Sequence, residues 1–219
     1  MNSSEPQNLR SWARDFGIDL SLPQIRLLSI YLDELCEWNK KTNLTGLTSR
    51  EEIIKDLLLD SIIPAVFLPD YGRFLDVGSG AGFPGIPLMI CKPELTAHFL
   101  EPNSKKVSFL KQVIRLTGLR QIGVIRGRIE ESPNLFHLKG YHIITARALA
   151  HLPQVLKWCA PHLASGGLII SFQGSHFEDA LERASGIIKD QRLLLHKTIP
   201  YSLPGKDSQR NILIFLKGR

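Results

Sequence analysis

Asp76, Gly78, Gly80, Gly82 and, one strand later, Glu101 are the residues whose types and spacing point most directly to chemistry. The first four lie in Phe74-Leu75-Asp76-Val77-Gly78-Ser79-Gly80-Ala81-Gly82-Phe83-Pro84-Gly85-Ile86-Pro87, a buried strand end followed by a glycine turn and the start of a helix. Glycines let the backbone turn tightly and close against a ligand. In a dinucleotide fingerprint, G-x-G-x-x-G, the loop amides and the helix N-terminus hold a pyrophosphate. Here Phe83 stands at the third glycine position, and Asp76 puts a carboxylate where a diphosphate would be repelled. The pattern therefore predicts a ligand with a positive group and no phosphate, which S-adenosylmethionine, with its ammonium and sulfonium, satisfies. Residues 95–100 read as a second buried strand ending on Glu101, 23 residues beyond Gly78, and a carboxylate at that tip can accept from both ribose hydroxyls. The competing reading makes the glycines a plain turn and Asp76 a helix cap.

The elements that must position these groups are legible in the periodicity. Up to about residue 70 the pattern is helical: 22–38 carries Ile25, Leu28, Leu32, Leu35 and Cys36 at amphipathic spacing, and Thr48-Ser49-Arg50-Glu51-Glu52 offers two overlapping capping boxes ahead of the apolar run 53–58. From residue 73, strands over 74–77, 95–100, 122–125, 141–145 and 168–172 alternate with helices over 86–91, 105–117, 152–162 and 177–188. This implies an α/β fold with a parallel sheet and right-handed crossovers. The runs 193–199 and 211–216 have no helix between them, so they should form an antiparallel edge pair. The expected architecture is a seven-stranded Rossmann-like sheet of the S-adenosylmethionine-dependent methyltransferase class, residues 71–219, with an N-terminal helical cap, residues 1–70, in one compact unit.

Composition narrows the partners. Residues 1–70 hold 7 Lys/Arg against 11 Asp/Glu, residues 71–219 hold 20 against 10, and the stretch 101–150 holds 9 against 3, Lys139 included. A basic field beside a cofactor site suggests a polyanionic substrate; a merely solvated surface explains such charges as well. No run reaches the length of a membrane span, and the start Met1-Asn2-Ser3-Ser4-Glu5 lacks the marks of a signal peptide, so a cytoplasmic monomer is expected. Cys36, Cys91 and Cys159 are odd in number and far apart, against a disulfide framework. The histidines, His137 among them, show no metal-ligand spacing, so no metal is expected.

Together these features resemble the RsmG (GidB) family of small-subunit ribosomal RNA methyltransferases. The resemblance runs from Trp38 to Arg210, through Trp38-Asn39-Lys40-Lys41-Thr42-Asn43-Leu44-Thr45, Leu59-Asp60-Ser61, the loop Asp76 to Pro87, Ser104-Lys105-Lys106, Gly127-Arg128-Ile129-Glu130-Glu131 and Ala146-Arg147-Ala148. It implies methylation of guanine N7 in the decoding-region loop of 16S rRNA, with the 30S subunit as partner, S-adenosylmethionine as cofactor and S-adenosylhomocysteine as product. Two positions depart from the family pattern: Leu57, where a histidine is usual, and Gln173, where a lysine is usual.

Guanine N7 has an in-plane lone pair and no hydrogen, so its methylation needs no general base, and positioning carries the catalysis. That agrees with Thr145-Ala146-Arg147-Ala148-Leu149 after strand four, which holds neither an Asn/Asp-Pro-Pro-Tyr/Phe motif nor a nucleophilic cysteine. Arg147 and Asn43 are the candidate catalytic residues, Arg147 for the guanine or a flanking phosphate and Asn43 for the target nucleotide or the methionine end. Their competing readings are an ion pair of Arg147 with Glu101, Glu130 or another carboxylate, and a loop turn made by Asn43. The candidate cofactor residues are Asp76, Gly78, Ser79, Gly80, Gly82, Phe83, Glu101, Ile129, Glu130 and Arg147; Glu130 competes as a helix cap. Lys40, Lys41, Lys105, Lys106 and Arg128 are the candidate RNA contacts. A small-molecule methyltransferase and a non-catalytic RNA-binding or assembly factor are the alternatives, with an NAD(P) oxidoreductase disfavoured by Asp76 and Phe83.

Overall fold

A computed structural model describes residues 4–131 and 140–218. Met1, Asn2 and Ser3 of the leader reading, His137, and Lys139 of the basic stretch lie outside the described residues. Seven strands, β1 (Gly72–Val77), β2 (Leu95–Glu101), β3 (Ile122–Arg126), β4 (Tyr141–Ala146), β5 (Leu163–Gln173), β6 (Leu193–Ser202) and β7 (Gln209–Lys217), form one sheet in the order β3-β2-β1-β4-β5-β7-β6. The first five run parallel, and β7 enters antiparallel between β5 and β6. The strand order reverses beside β1, the place where open α/β sheets bind ligands beyond their strand C-termini.

Both faces of the sheet are covered, so its strands alternate between two buried layers. Leu75, Ile144, Ile169 and Leu213 face α7 (Leu152–Cys159) and α8 (Glu178–Asp190), whose Val155, Leu156 and Ala184 are buried there. On the other face, Phe74, Phe99 and Ile212 share one apolar cluster with α5 (Gly85–Cys91), α6 (Ser104–Thr117) and the N-terminal helices α1 (Glu5–Asp15) and α2 (Leu22–Asn39). The ends of these helices follow from sequence. Ser21 and Gln24 make a reciprocal capping box on α2, Asn103 accepts from the amides of Lys105 and Lys106 at the start of α6, and Gly118 ends α6 at φ +65°.

The helix expected ahead of β1 departs from a regular one. Ser49 caps it, its hydroxyl accepting from the Glu52 amide, which is one half of a predicted box, but after α3 (Arg50–Glu52) the chain winds as a π-helix, Ile53–Leu59, before α4 (Asp60–Ile62) and a 3-10 segment, Ile63–Phe67. Asp56 and Asp60, four residues apart, share one face of this helical run, where Arg210 of β7 binds both carboxylates. Asp60, 1% exposed, also takes the guanidinium of Arg147 at 3.0 Å, that of Arg210 at 2.9 Å and the Tyr201 hydroxyl at 2.7 Å. Burial and the neighbouring Asp60 carboxylate push the Tyr201 phenol far above its ordinary range. Removing one partner of such a buried set leaves uncompensated charge, so Asp60→Ala should destabilise the protein by about 3–5 kcal/mol. Denaturant unfolding measures this, and a loss under about 1 kcal/mol would show that the two arginines find equal partners elsewhere.

Candidate cofactor and methyl-transfer site

The glycine loop emerges from β1 and is held from three sides. Glu101, 5% exposed at the end of β2, accepts from the Gly80 amide at 2.8 Å through one oxygen and from the Asn103 amide at 2.9 Å through the other. Asp76 lies beneath the loop, accepting from Thr145 Oγ1 at 2.6 Å and from the Gly85 amide at 3.2 Å. Tyr31 of α2, fully buried, donates from its hydroxyl to the Ala81 carbonyl at 2.6 Å, so a helix of the cap holds the turn directly.

This bracing sorts the loop residues into two kinds. Gly80, at φ +57°, has only the Gly78 carbonyl near the position a Cβ would take, so the space above it is open. A Cβ on Gly85 would instead lie 2.6 Å from the Asp76 carboxylate, which explains the glycine there. Ser79 turns inward, its hydroxyl donating to the Asp76 carbonyl, Gly82 abuts Ile86 and Tyr31, and Phe83 packs on Tyr31 with centroids 5.2 Å apart. Ser79, Gly82 and Phe83 thus shape the loop from beneath, whereas Gly80 has open space above it and Gly78 lines a cleft.

Beyond the loop lies a cleft lined by Val77, Gly78, Leu100, Pro102, Gly127, Arg128, Ile129, Glu130, Leu149 and Trp158. Ile129 and Glu130 are in its wall as expected, on a 3-10 turn after β3, and Arg128 is at its rim beside Glu130. Pro102, Leu149 and Trp158 add apolar walls that the sequence reading missed. Trp158 had a signal, an aromatic on α7 one residue before the buried Cys159, but nothing local to β4 announces that α7 reaches this cleft.

Arg147 leaves β4 toward the cap and away from this cleft. Besides Asp60, it donates to Ser61 Oγ and the Leu57 carbonyl, both at 3.3 Å, and to the Asp56 carbonyl, while its guanidinium lies 5.6 Å from the Phe172 ring centroid. The expected ion-pair alternative is therefore present, with Asp60 as the carboxylate in place of Glu101 or Glu130. Asn43 is exposed on the loop after α2 and lines no part of the cleft. The turn it might have made belongs to Asn39, whose Oδ1 accepts from the amides of Leu44 and Thr45. Lys40 pairs on the surface with Glu37, and Trp38 packs against Phe109 of α6.

Burial pushes Asp76 from an ordinary 3.8 up to about 6, against the hydroxyl and amide that donate to it. The folded state therefore binds more protons than the unfolded chain between those values. The associated stability is complete below about pH 4 and is lost as pH rises through about 6. Compared with Asp76→Asn, the native protein should lose on the order of 3 kcal/mol across that interval. Denaturant titrations of both proteins measure it, and parallel stability curves would contradict it.

The chain was also compared with known proteins. A family profile described as rRNA small subunit methyltransferase G matches residues 24–213. A ribosomal RNA small subunit methyltransferase G from Lachnoclostridium phytofermentans is 33% identical over 99% of this chain and 89% of its own length. A ribosomal RNA small subunit methyltransferase G 1 from Syntrophobacter fumaroxidans is 38% identical over 96% of each. Among solved structures, an O-methyltransferase from Bacillus cereus in complex with SAH covers 85% of this chain and 90% of its own at a TM-score of 0.62 and 14% identity, which shows the shared fold. By the extent of these matches, the chain belongs to the rRNA small subunit methyltransferase G family.

Proposed function

We propose that the chain methylates N7 of a guanosine in the decoding-region loop of 16S rRNA, using S-adenosylmethionine. The observation that carries this reading is the open glycine turn tethered by Glu101 at the strand end where the basic stretch lies. The residues fit that cofactor: Glu101 ends β2 beside the loop as a carboxylate able to accept from ribose hydroxyls, the space above Gly80 admits close backbone approach, and Ile129, Leu149 and Trp158 offer apolar surfaces for adenine. When bound, S-adenosylmethionine supplies an electrophilic methyl group on a sulfonium.

The protein supplies position. Guanine N7 brings its own lone pair, so the mouth of β4 needs no acid or base, and Thr145-Ala146-Arg147-Ala148 has none. Arg147 serves as a positioning group, its planar two-donor fork fixed by Asp60 and Ser61 at the edge of the site. Asn43 adds a contact to the target nucleotide. Lys40, Lys41, Lys105, Lys106 and Arg128 attract the phosphate backbone, an interaction that weakens with salt. The 30S subunit and the cytoplasm follow from this substrate.

The direct test supplies labelled cofactor to small ribosomal subunits and to free 16S rRNA and maps the modified base; labelling of neither, or of a site other than guanine N7, would refute the proposal. Glu101→Ala should cost roughly 1.5–3 kcal/mol of cofactor binding by calorimetry, and an unchanged affinity would move the ribose elsewhere. Arg147→Ala should slow single-turnover methyl transfer by far more than it weakens cofactor binding, with lysine a poor rescue. The native rate should be nearly flat from about pH 7 to 8.5, above the Asp76 titration. A resolved ionisation inside that window would reveal a base.

A further inference from the structure

The span Gly80-Ala81 of the glycine loop is tethered at both ends. Its first amide donates to Glu101 of β2 at 2.8 Å, and its last carbonyl accepts from the Tyr31 hydroxyl of α2 at 2.6 Å. A Cβ on the next residue, Gly82, would lie 3.2 Å from that hydroxyl, so Tyr31 sets how closely the loop approaches the cap. Burial, together with the Asp76 carboxylate, raises the Tyr31 phenol well above its ordinary range. The hydroxyl therefore stays protonated and remains a donor.

The same helix runs on to the loop proposed to meet RNA. Tyr31 and Trp38 are seven positions apart, two turns of helix, and so lie on one side of α2. Both rings pack on Phe109 of α6, with centroids at 6.3 and 5.5 Å. Asn39 then closes the loop that follows: its Oδ1 accepts from the Leu44 and Thr45 amides, and its Nδ2 donates to the Leu47 carbonyl at 3.0 Å. Lys40, Lys41 and Asn43 lie within the loop so closed. One helix thus ends on the segment that carries these groups and, about 12 Å back along its axis, grips the carbonyl of the cofactor turn.

We propose that Tyr31 is a positioning residue that couples the two substrates: RNA seated on the loop 40–43 holds α2 in place, Tyr31 passes that restraint to the Ala81 carbonyl, and RNA and cofactor bind with positive cooperativity. This coupling rests on the RNA methylation reading above and adds a thermodynamic link between its two sites. Order that one ligand has already imposed on a shared element is not demanded again of the second. The link is reciprocal, so each ligand raises the affinity of the other by the same factor. Glu101 still holds the loop from β2 when the Tyr31 donor is lost, so that loss should cut the communication and leave a site that binds.

The test measures binding of labelled S-adenosylhomocysteine to the full chain by equilibrium dialysis, alone and with saturating small ribosomal subunits or free 16S rRNA, and RNA retention with and without S-adenosylhomocysteine. In the native protein each ligand should tighten the other by about fivefold or more. Tyr31→Phe keeps the ring against Phe83 and Phe109 and removes only the donor; both ligands should still bind, with the mutual factor reduced to about one. Reversing Lys40 and Lys41 to Glu, on the surface, should reduce the factor from the RNA side, and adding Tyr31→Phe should change it no further, because both cut one link. A tyrosine with a purely structural role would weaken cofactor binding equally with and without RNA. A native chain that retains RNA without mutual enhancement, or a Tyr31→Phe variant with the full enhancement, would overturn the coupling. A native chain that retains neither subunits nor rRNA would refute the RNA reading itself, and the coupling with it.

Discussion

The carboxylate of Asp60 is the point on which the rest of the arrangement hangs. It is buried at the turn between the π-helix and α4, and it gathers Arg147 from β4, Arg210 from β7 and Tyr201 from β6. One negative group thereby ties the N-terminal helices to three strands. In a low-dielectric interior the attraction is strong only because each guanidinium also meets further acceptors: Asp56 for Arg210, and the Leu57 and Asp56 carbonyls for Arg147. Asp56 and Asp60, one helical turn apart, present both carboxylates to Arg210. Arg147 is turned toward the cap because this network holds it there.

The glycine loop shows the same division between groups that meet a ligand and groups that hold the loop still. Asp76, Ser79, Gly82 and Phe83 are spent inward, on Thr145, on the loop's own backbone and on Tyr31. Glu101 holds the loop from the neighbouring strand, accepting the Gly80 and Asn103 amides through its two oxygens. Keeping Asp76 ionised in such burial is costly, which is why its affinity for a proton is raised. A site whose chemistry is positioning, without proton transfer, depends on this kind of rigidity.

Two spaces lie along the strand ends, and Leu149 lines both. The cleft beside β1 to β3 has mainly apolar walls, with Glu130 as its carboxylate, whereas the space beside β4 and β5 is lined in part by Ser171, Gln173 and Arg183. The difference follows from what each strand end carries: Val77 and Leu100, near the ends of β1 and β2, are apolar, and Ser171 and Gln173, near the end of β5, are polar.

Read alone, the sequence determined the strand and helix alternation, the antiparallel final pair and the glycine loop with its two acids, because these depend on short-range periodicity and on residues a few positions apart. It also carried the family, through motifs that are contiguous in the chain. The fate of Arg147 was decided only by tertiary structure, since its partner Asp60 lies 87 positions earlier in the chain and meets it across a helix whose π winding no local pattern announces. Tyr31 on the loop carbonyl and Trp158 in the cleft were invisible for the same reason. Their roles exist only where elements distant in sequence are packed together, and hydrophobic periodicity says that a residue is buried without saying what it will be buried against.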